Sequence, residues 1–260
     1  MGGFCAIITI YDWFGYKTPI KERYKKIKQA GFDGVLLWWS ELLNRGDYKN
    51  APLIARNAGL FIENIHTPFQ VQDYIWDNNI NGETAIQTYI KCVKDCAEFD
   101  IPTMVIHLPD DDKPYNELGI NRLKQLAQNA ESYNVNIAFE NLNNITNLYK
   151  ILDTIQSPQV GLCYDCCHQV RYYPNSDMLT KYKDRIMALH LHDYVDNSIH
   201  RLPFDGVTDW LVVMNEIKKT GYLGATSIEA MNWAYADKSI DTFLQQAFIK
   251  AKQLENLRDK

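Results

Sequence analysis

Val135-Asn136-Ile137-Ala138-Phe139-Glu140 is a mostly apolar run that ends on a carboxylate. Its length and β-branched residues predict a buried strand, preceded by a long segment of helical period. A carboxylate closing a buried strand is costly unless it is paired, hydrogen-bonded or bound to a metal. The pattern returns three times downstream, in Val160-Gly161-Leu162-Cys163-Tyr164-Asp165, Ile186-Met187-Ala188-Leu189-His190 and Ala225-Thr226-Ser227-Ile228-Glu229. Helix-like segments separate the four runs. Four metal-type residues at the C-terminal ends of consecutive strands predict ligands converging on one rim of a parallel barrel, the rim where such barrels carry their active sites.

The same alternation runs outward to both ends of the chain. Strands are expected at residues 4–10, 34–38, 60–65 and 103–106, and helices at 19–30, 51–58, 82–99 and 115–133. Further helices are expected at 146–156, 177–182, 209–219 and 240–257. Gly31, Gly59 and Gly221 stand where helices should stop, a position that favours the left-handed backbone glycine adopts freely. The count is eight β–α units without a remainder, so residues 1–260 read as an α/β fold, a single (β/α)8 barrel domain. A doubly wound open sheet would want a glycine-rich phosphate turn after the first strand, and Tyr11-Asp12-Trp13-Phe14-Gly15 is not one.

The bulk composition narrows the function. Hydrophobic residues make up 46% of the 260 and charged residues 23%, an ordinary globular balance. A formal charge of −5 disfavours a nucleic-acid partner. No apolar run approaches the length of a membrane span, and the N-terminus lacks the charged and apolar regions of a signal peptide, so a cytoplasmic location without membrane contact is expected. Cys5, Cys92, Cys96, Cys163, Cys166 and Cys167 have no second pair at zinc-finger spacing and are expected to be reduced structural thiols.

The six histidines, His66, His107, His168, His190, His192 and His200, all fall at predicted strand ends or in the loops that follow, and none on a helix surface. Imidazole is the commonest metal ligand and a ready proton carrier. His190 and His192 alternate on one predicted strand, so both should face the interior; His190 is read as the ligand and His192 as its neighbour. Trp13, Trp38 and Trp39 lie at the ends of the first two strands, where core packing is expected ahead of sugar stacking.

The ordered set His66-Thr67-Pro68-Phe69, Val105-Ile106-His107, Phe139-Glu140-Asn141, Tyr164-Asp165-Cys166-Cys167-His168, His190-Leu191-His192-Asp193, His200-Arg201-Leu202-Pro203-Phe204-Asp205-Gly206 and Ile228-Glu229 resembles the xylose isomerase-like barrel superfamily. That superfamily holds sugar phosphate isomerases and epimerases, ketose 3-epimerases, inosose dehydratases and endonuclease IV. The resemblance covers most of the chain. It implies one divalent metal ion (Mn, Mg or Zn) held by Glu140, Asp165, His190 and Glu229, with Glu140 and Glu229 also forming the catalytic acid/base pair.

His66, His107, His168, His192, His200 and Arg201 would bind the substrate, a small sugar or polyol. The reaction implied is isomerisation or epimerisation by proton transfer next to a carbonyl. Absence of a glycine-rich turn at the exits of the last two strands favours an unphosphorylated substrate. Three alternatives stay open at this point: an inosose dehydratase-like lyase, an AP endonuclease like endonuclease IV, and a sugar-binding barrel without catalysis. The nuclease would draw extra zinc ligands from His66, His107, His168, His200 and an aspartate two residues before His200, where Ser198 stands. Homo-oligomers are compatible with every reading.

Overall fold

The computed structural model describes residues 7–40, 48–109, 113–143 and 145–259. Seven parallel strands follow one another around a barrel: β1 (Ile8–Tyr11), β2 (Gly34–Trp38), β3 (Phe61–His66), β4 (Thr103–Ile106), β5 (Asn136–Glu140), β6 (Val160–Asp165) and β7 (Ile186–His190). A short antiparallel hairpin, β8 (Asp193–Val195) and β9 (Ser198–Arg201), precedes the eighth barrel strand, β10 (Thr226–Ile228). β10 pairs in parallel with β1, Thr9 opposite Ser227. Towards β7 the wall closes through one residue: Leu191 N–H donates to Ser227 O at 2.9 Å, and Glu229 N–H donates to Leu191 O at 3.1 Å. The barrel is nearly closed, as the eightfold alternation predicts.

Helices α1 (Ile20–Ala30), α2 (Ala51–Asn57), α3 (Ile80–Glu98), α4 (Glu117–Tyr133) and α5 (Ile145–Thr154) connect the first six strands. Local chemistry sets their ends. Asn79 caps α3 by accepting from Asn81 N and Gly82 N, which starts the helix two residues ahead of the expected position. Asn116 caps α4 through Gly119 N, and α1 stops at Gly31, whose φ of 113° suits glycine. After the hairpin come α8 (Trp210–Thr220), capped by Asp209, and α9 (Ile240–Asp259).

Strand residues facing the helices, among them Ile10, Leu37, Ile65, Met104, Phe139, Leu162 and Leu189, join the main core. Facing inward are two smaller clusters, Val105, Ala138, Cys163 and Ala188 on one side and Tyr11, Leu36, Trp38 and Met231 on the other. The upper barrel is thereby left to polar side chains. Trp39 turns outward and donates from Nε1 to Asp95 at 3.0 Å, so it packs against α3.

Three expectations need correction. The connection after β6 is not a loop, because α6 (Cys166–Tyr172) starts at once, followed by α7 (Met178–Lys181). His168 therefore sits in the first turn of a helix, and not every histidine is off the helices. β7 ends at His190, so His192 lies beyond that strand; Leu191 is drawn across to β10. The hairpin is also a remainder that the even count of eight units left out. Cys5 and the first residues of the predicted strand at 4–10 lie outside the described residues; Cys92, Cys96, Cys163, Cys166 and Cys167 are free thiols, all buried. Among the described residues no helix is long and apolar enough to cross a membrane.

Candidate metal centre and active site

Strand register sets the candidate residues side by side at one end of the barrel. Glu140 lies opposite Cys163, Asp165 opposite His190, and Trp38 opposite His66. Glu229 follows β10 by one residue and is held by its N–H bond to Leu191. One oxygen or ring nitrogen from each of Glu140, Asp165, His190 and Glu229 lies within 4.8 Å of the others, and all four residues are buried.

Without a cation the carboxylates rest on imidazoles: burial would lower His190 and His192, but Cys163, Glu229 and Glu140 around the one and Asp165 beside the other raise both well above the usual range. Glu140 meets His190 at 3.0 Å, His107 at 3.1 Å, His66 at 3.5 Å and His168 at 3.7 Å. Asp165 meets His192 at 2.9 Å and His168 at 3.7 Å, while Glu229 meets His190 at 3.3 Å and His200 at 3.8 Å. Among the described residues no lysine or arginine pairs with these three carboxylates. Neither ring nitrogen of His190, nor Glu229 Oε2, has a hydrogen-bond partner among the described residues, although all three atoms are buried. Buried polar atoms rarely stay unpaired in native proteins. A divalent cation would satisfy an imidazole lone pair and a carboxylate oxygen together, and a mixed carboxylate and imidazole set suits Mn²⁺, Mg²⁺ or Zn²⁺. The residues fit the metal.

Burial and neighbours drive the two glutamates apart. Burial alone would raise the Glu140 carboxyl, but His190 and His107 beside it hold it well below the usual range. Burial raises Glu229 to about 7, with the nearby Glu140 charge adding to the effect and His190 opposing it. Burial would also raise Asp165, yet His168 and His192 keep it low. His66 is depressed to about 4 and His200 to about 3, chiefly by burial, so both are neutral near pH 7.

The surrounding histidines are placed by specific contacts. His66 Nδ1 lies 3.0 Å from Thr67 O, to which it donates, leaving Nε2 as an acceptor 3.2 Å from His107 Nε2. His66, His107 and Glu140 thus form a second group able to hold a cation, and His192, His200 and Glu229 a third. His168 is aimed by its Nδ1 contact to Asn141 O at 2.9 Å and by its backbone N–H to Asp165 at 2.8 Å. His192 Nε2 lies 2.9 Å from Asp165 Oδ2, and its Nδ1 accepts from His200 N at 3.1 Å. His200 itself stands on a left-handed backbone, φ 55°, with its ring stacked 4.3 Å from that of His192. Among the described residues no contact brings Arg201 into the cluster; its Nε donates to Asp205 O at 3.0 Å.

Two organising residues carry no sequence-level role. Asn141 ties β5 to β6, donating to Asp165 O at 2.8 Å and accepting from Asp165 N at 2.7 Å. Asp193 accepts from Tyr194 N, Gly206 N, Thr208 N and Trp210 Nε1, which gathers the hairpin and the start of α8 around one buried carboxylate. Both stand directly after a candidate residue, in Glu140-Asn141 and His192-Asp193, inside segments that carry the family resemblance. Phe69, 39% exposed, forms an aromatic edge to the mouth against Trp38, His66 and His107.

Comparison with known proteins agrees with this architecture. Over 143 residues, 49% of this chain and 51% of the relative, the sequence is 26% identical to an inosose isomerase of Halalkalibacterium halodurans. Among solved structures, L-ribulose 3-epimerase superposes with a TM-score of 0.80 at 14% identity, covering 98% of this chain and 96% of the other. The IolI protein with a bound zinc atom superposes with a TM-score of 0.78 at 15% identity, covering 95% and 97%. At such identities the structural likeness speaks for the fold alone. The family model described as xylose isomerase-like TIM barrel matches residues 24–247, and the chain belongs to that family.

Proposed function

We propose that the protein is a divalent-metal-dependent sugar isomerase or epimerase that moves a proton at the carbon beside a carbonyl, with a ketose, a polyol-derived ketone or a sugar phosphate as substrate. The observation that carries this reading is the arrangement of Glu140 and Glu229 on the outer two of four consecutive strand ends, with Asp165 and His190 between them. Glu140, Asp165, His190 and Glu229 would hold the ion. A bound ion supplies positive charge for the oxygen that becomes negative as the adjacent proton leaves.

The ionised Glu140 carboxylate is suited to accept that proton. Glu229 would be its partner in the acid/base pair, returning a proton from the other side of the pocket. Isomerisation needs one such carboxylate and epimerisation both. The neutral His66 and His200 would contact substrate hydroxyls, with His107, His168 and His192 completing the wall. The sequence likeness to an inosose isomerase and the shared fold with an L-ribulose 3-epimerase support this class of chemistry. On this reading residues 1–260 act as one barrel domain on a small molecule.

The test is isotope exchange. The metal-loaded protein is incubated in D₂O with ketoses, inososes and their phosphates, and deuterium is sought at the carbon beside the carbonyl. Exchange on one of these classes is expected, and its absence from all would remove the proposal.

A second reading has one observation in its favour, the His66, His107 and Glu140 group beside the first. Extra ions there would suit phosphodiester cleavage, although Ser198 stands exposed where the three-zinc nucleases would place an aspartate. Three zinc ions per chain together with cleavage at abasic sites would replace the isomerase reading.

A further inference from the structure

The floor of the candidate metal centre carries a thiol with no part in the chemistry above. Cys163 points into the barrel from β6, two residues before Asp165, and is fully buried. It packs with Val105, Ala138 and Ala188, inward residues of β4, β5 and β7. Register places it beside Glu140 on one neighbouring strand and Ala188 on the other, one layer beneath His190. Its sulfur, a ring nitrogen of His190 and a carboxylate oxygen of Glu140 all lie within 4.8 Å of one another.

His190 supplies the second, independent observation. Its Nδ1 faces Glu140 at 3.0 Å and Glu229 at 3.3 Å, so this nitrogen is turned towards the carboxylates. In metal sites the other imidazole nitrogen usually donates to a carboxylate, a carbonyl or water, which fixes the orientation of the ring. Among the described residues neither His190 nitrogen has a hydrogen-bond partner. In the floor cluster beneath the ring, Cys163 packs with Val105, Ala138 and Ala188 and with the half-buried Met187, and its thiol comes within 4.8 Å of a His190 ring nitrogen.

We infer that Cys163 is a positioning residue for the metal centre: its sulfur braces the His190 imidazole from below and keeps the ion-binding nitrogen aimed between Glu140 and Glu229. The inference rests on the metal reading given above. It assigns Cys163 no bond to the ion. It also gives Ala138 and Ala188 a purpose, since larger side chains there would compete with the thiol for the space under the ring.

The test compares metal-stripped wild type, Cys163→Ala and Cys163→Ser, each titrated with Zn²⁺ against a chelating dye while its metal-free melting temperature is recorded. Cys163→Ala is expected to bind Zn²⁺ about tenfold to a hundredfold more weakly. Cys163→Ser, which keeps a polar atom in place, should recover most of that loss. Substituted Co²⁺ should show visible bands whose shape changes in the alanine variant, with no intense near-ultraviolet sulfur-to-metal band in wild type.

Equal Zn²⁺ affinity in all three proteins would overturn the inference and leave the metal reading standing. An intense near-ultraviolet band that disappears in Cys163→Ser would also overturn it, by making the sulfur a ligand. If wild type takes up no divalent ion, the metal reading fails and the brace fails with it. Cys163→Val, which keeps the volume without the polarity, takes the place of the alanine variant should that one not fold.

Discussion

Two glutamates of the same type are made different by a few ångströms of environment. Glu140 lies within 4 Å of four histidines, whereas among the described residues Glu229 comes that near to His190 and His200. Replacing either by glutamine should leave the fold intact and lower D₂O exchange by at least about a hundredfold, the usual contribution of a positioned acid or base. Undiminished exchange in Glu229→Gln would remove Glu229 from the chemistry. A pH dependence follows from the same residue. Burial raises Glu229 to about 7, above its unfolded value, so its contribution to the stability of the metal-free protein is full below the ordinary carboxylate range and is lost as pH rises through about 7. Metal binding needs the ionised form. The melting-temperature gain on adding Zn²⁺ or Mn²⁺ should therefore grow between pH 5 and 8, and a gain flat with pH would contradict the assignment. The types of these residues were legible in the sequence. Their ionisation was not, because it depends on which imidazoles the barrel brings within about 4 Å, a range where charge interactions are strong in a dry site.

Elements differ in how plainly they announce themselves. β4 was expected at residues 103–106 and occupies Thr103–Ile106, because a short apolar run between turn signals has few other uses. α6 is hard to read from the sequence because its seven residues begin Cys-Cys-His, poor helix formers, and its cap is Asp165, a side chain that reads first as a ligand. The hairpin is equally quiet in the sequence, because its strands have three and four residues and Asp196-Asn197 is a weak turn signal. Asp193 holds that hairpin. Asp193→Ala would leave three backbone N–H groups, from the buried Thr208 and the half-buried Gly206 and Tyr194, and the indole of Trp210 without their acceptor. A loss of about 3 kcal/mol and a melting temperature lower by several degrees are expected. Because His200 lies on β9, the Michaelis constant should also rise. A variant as stable as wild type would show that water or a neighbour replaces the carboxylate.

For the whole molecule, the barrel gathers its histidines and three carboxylates at one end, above an interior that combines Val105, Ala138, Cys163 and Ala188 with the Glu63 carboxylate, which accepts from Thr9 Oγ1 and Ser227 Oγ. Three buried carboxylates and their histidines are a cost to the empty fold, and an ion that binds only the native state offsets it. At a hundredfold excess over its dissociation constant, a divalent ion should add about 3 kcal/mol and raise the melting temperature by several degrees. A chelator should reverse the shift, and calorimetry with and without chelator checks both directions. An unchanged melting temperature would argue that histidine protonation alone balances the site.

The sequence by itself determined the family, the parallel barrel and the order in which Glu140, Asp165, His190 and Glu229 close their strands. These follow from local patterns, since apolar periodicity and strand ends are written in neighbouring residues. Only the tertiary structure decided that the four converge within 4.8 Å, that His168 rides on a helix, and that Cys163 lies beneath His190. Those facts depend on the register between strands far apart in the chain and on the closure of the barrel at Leu191, which no local pattern encodes.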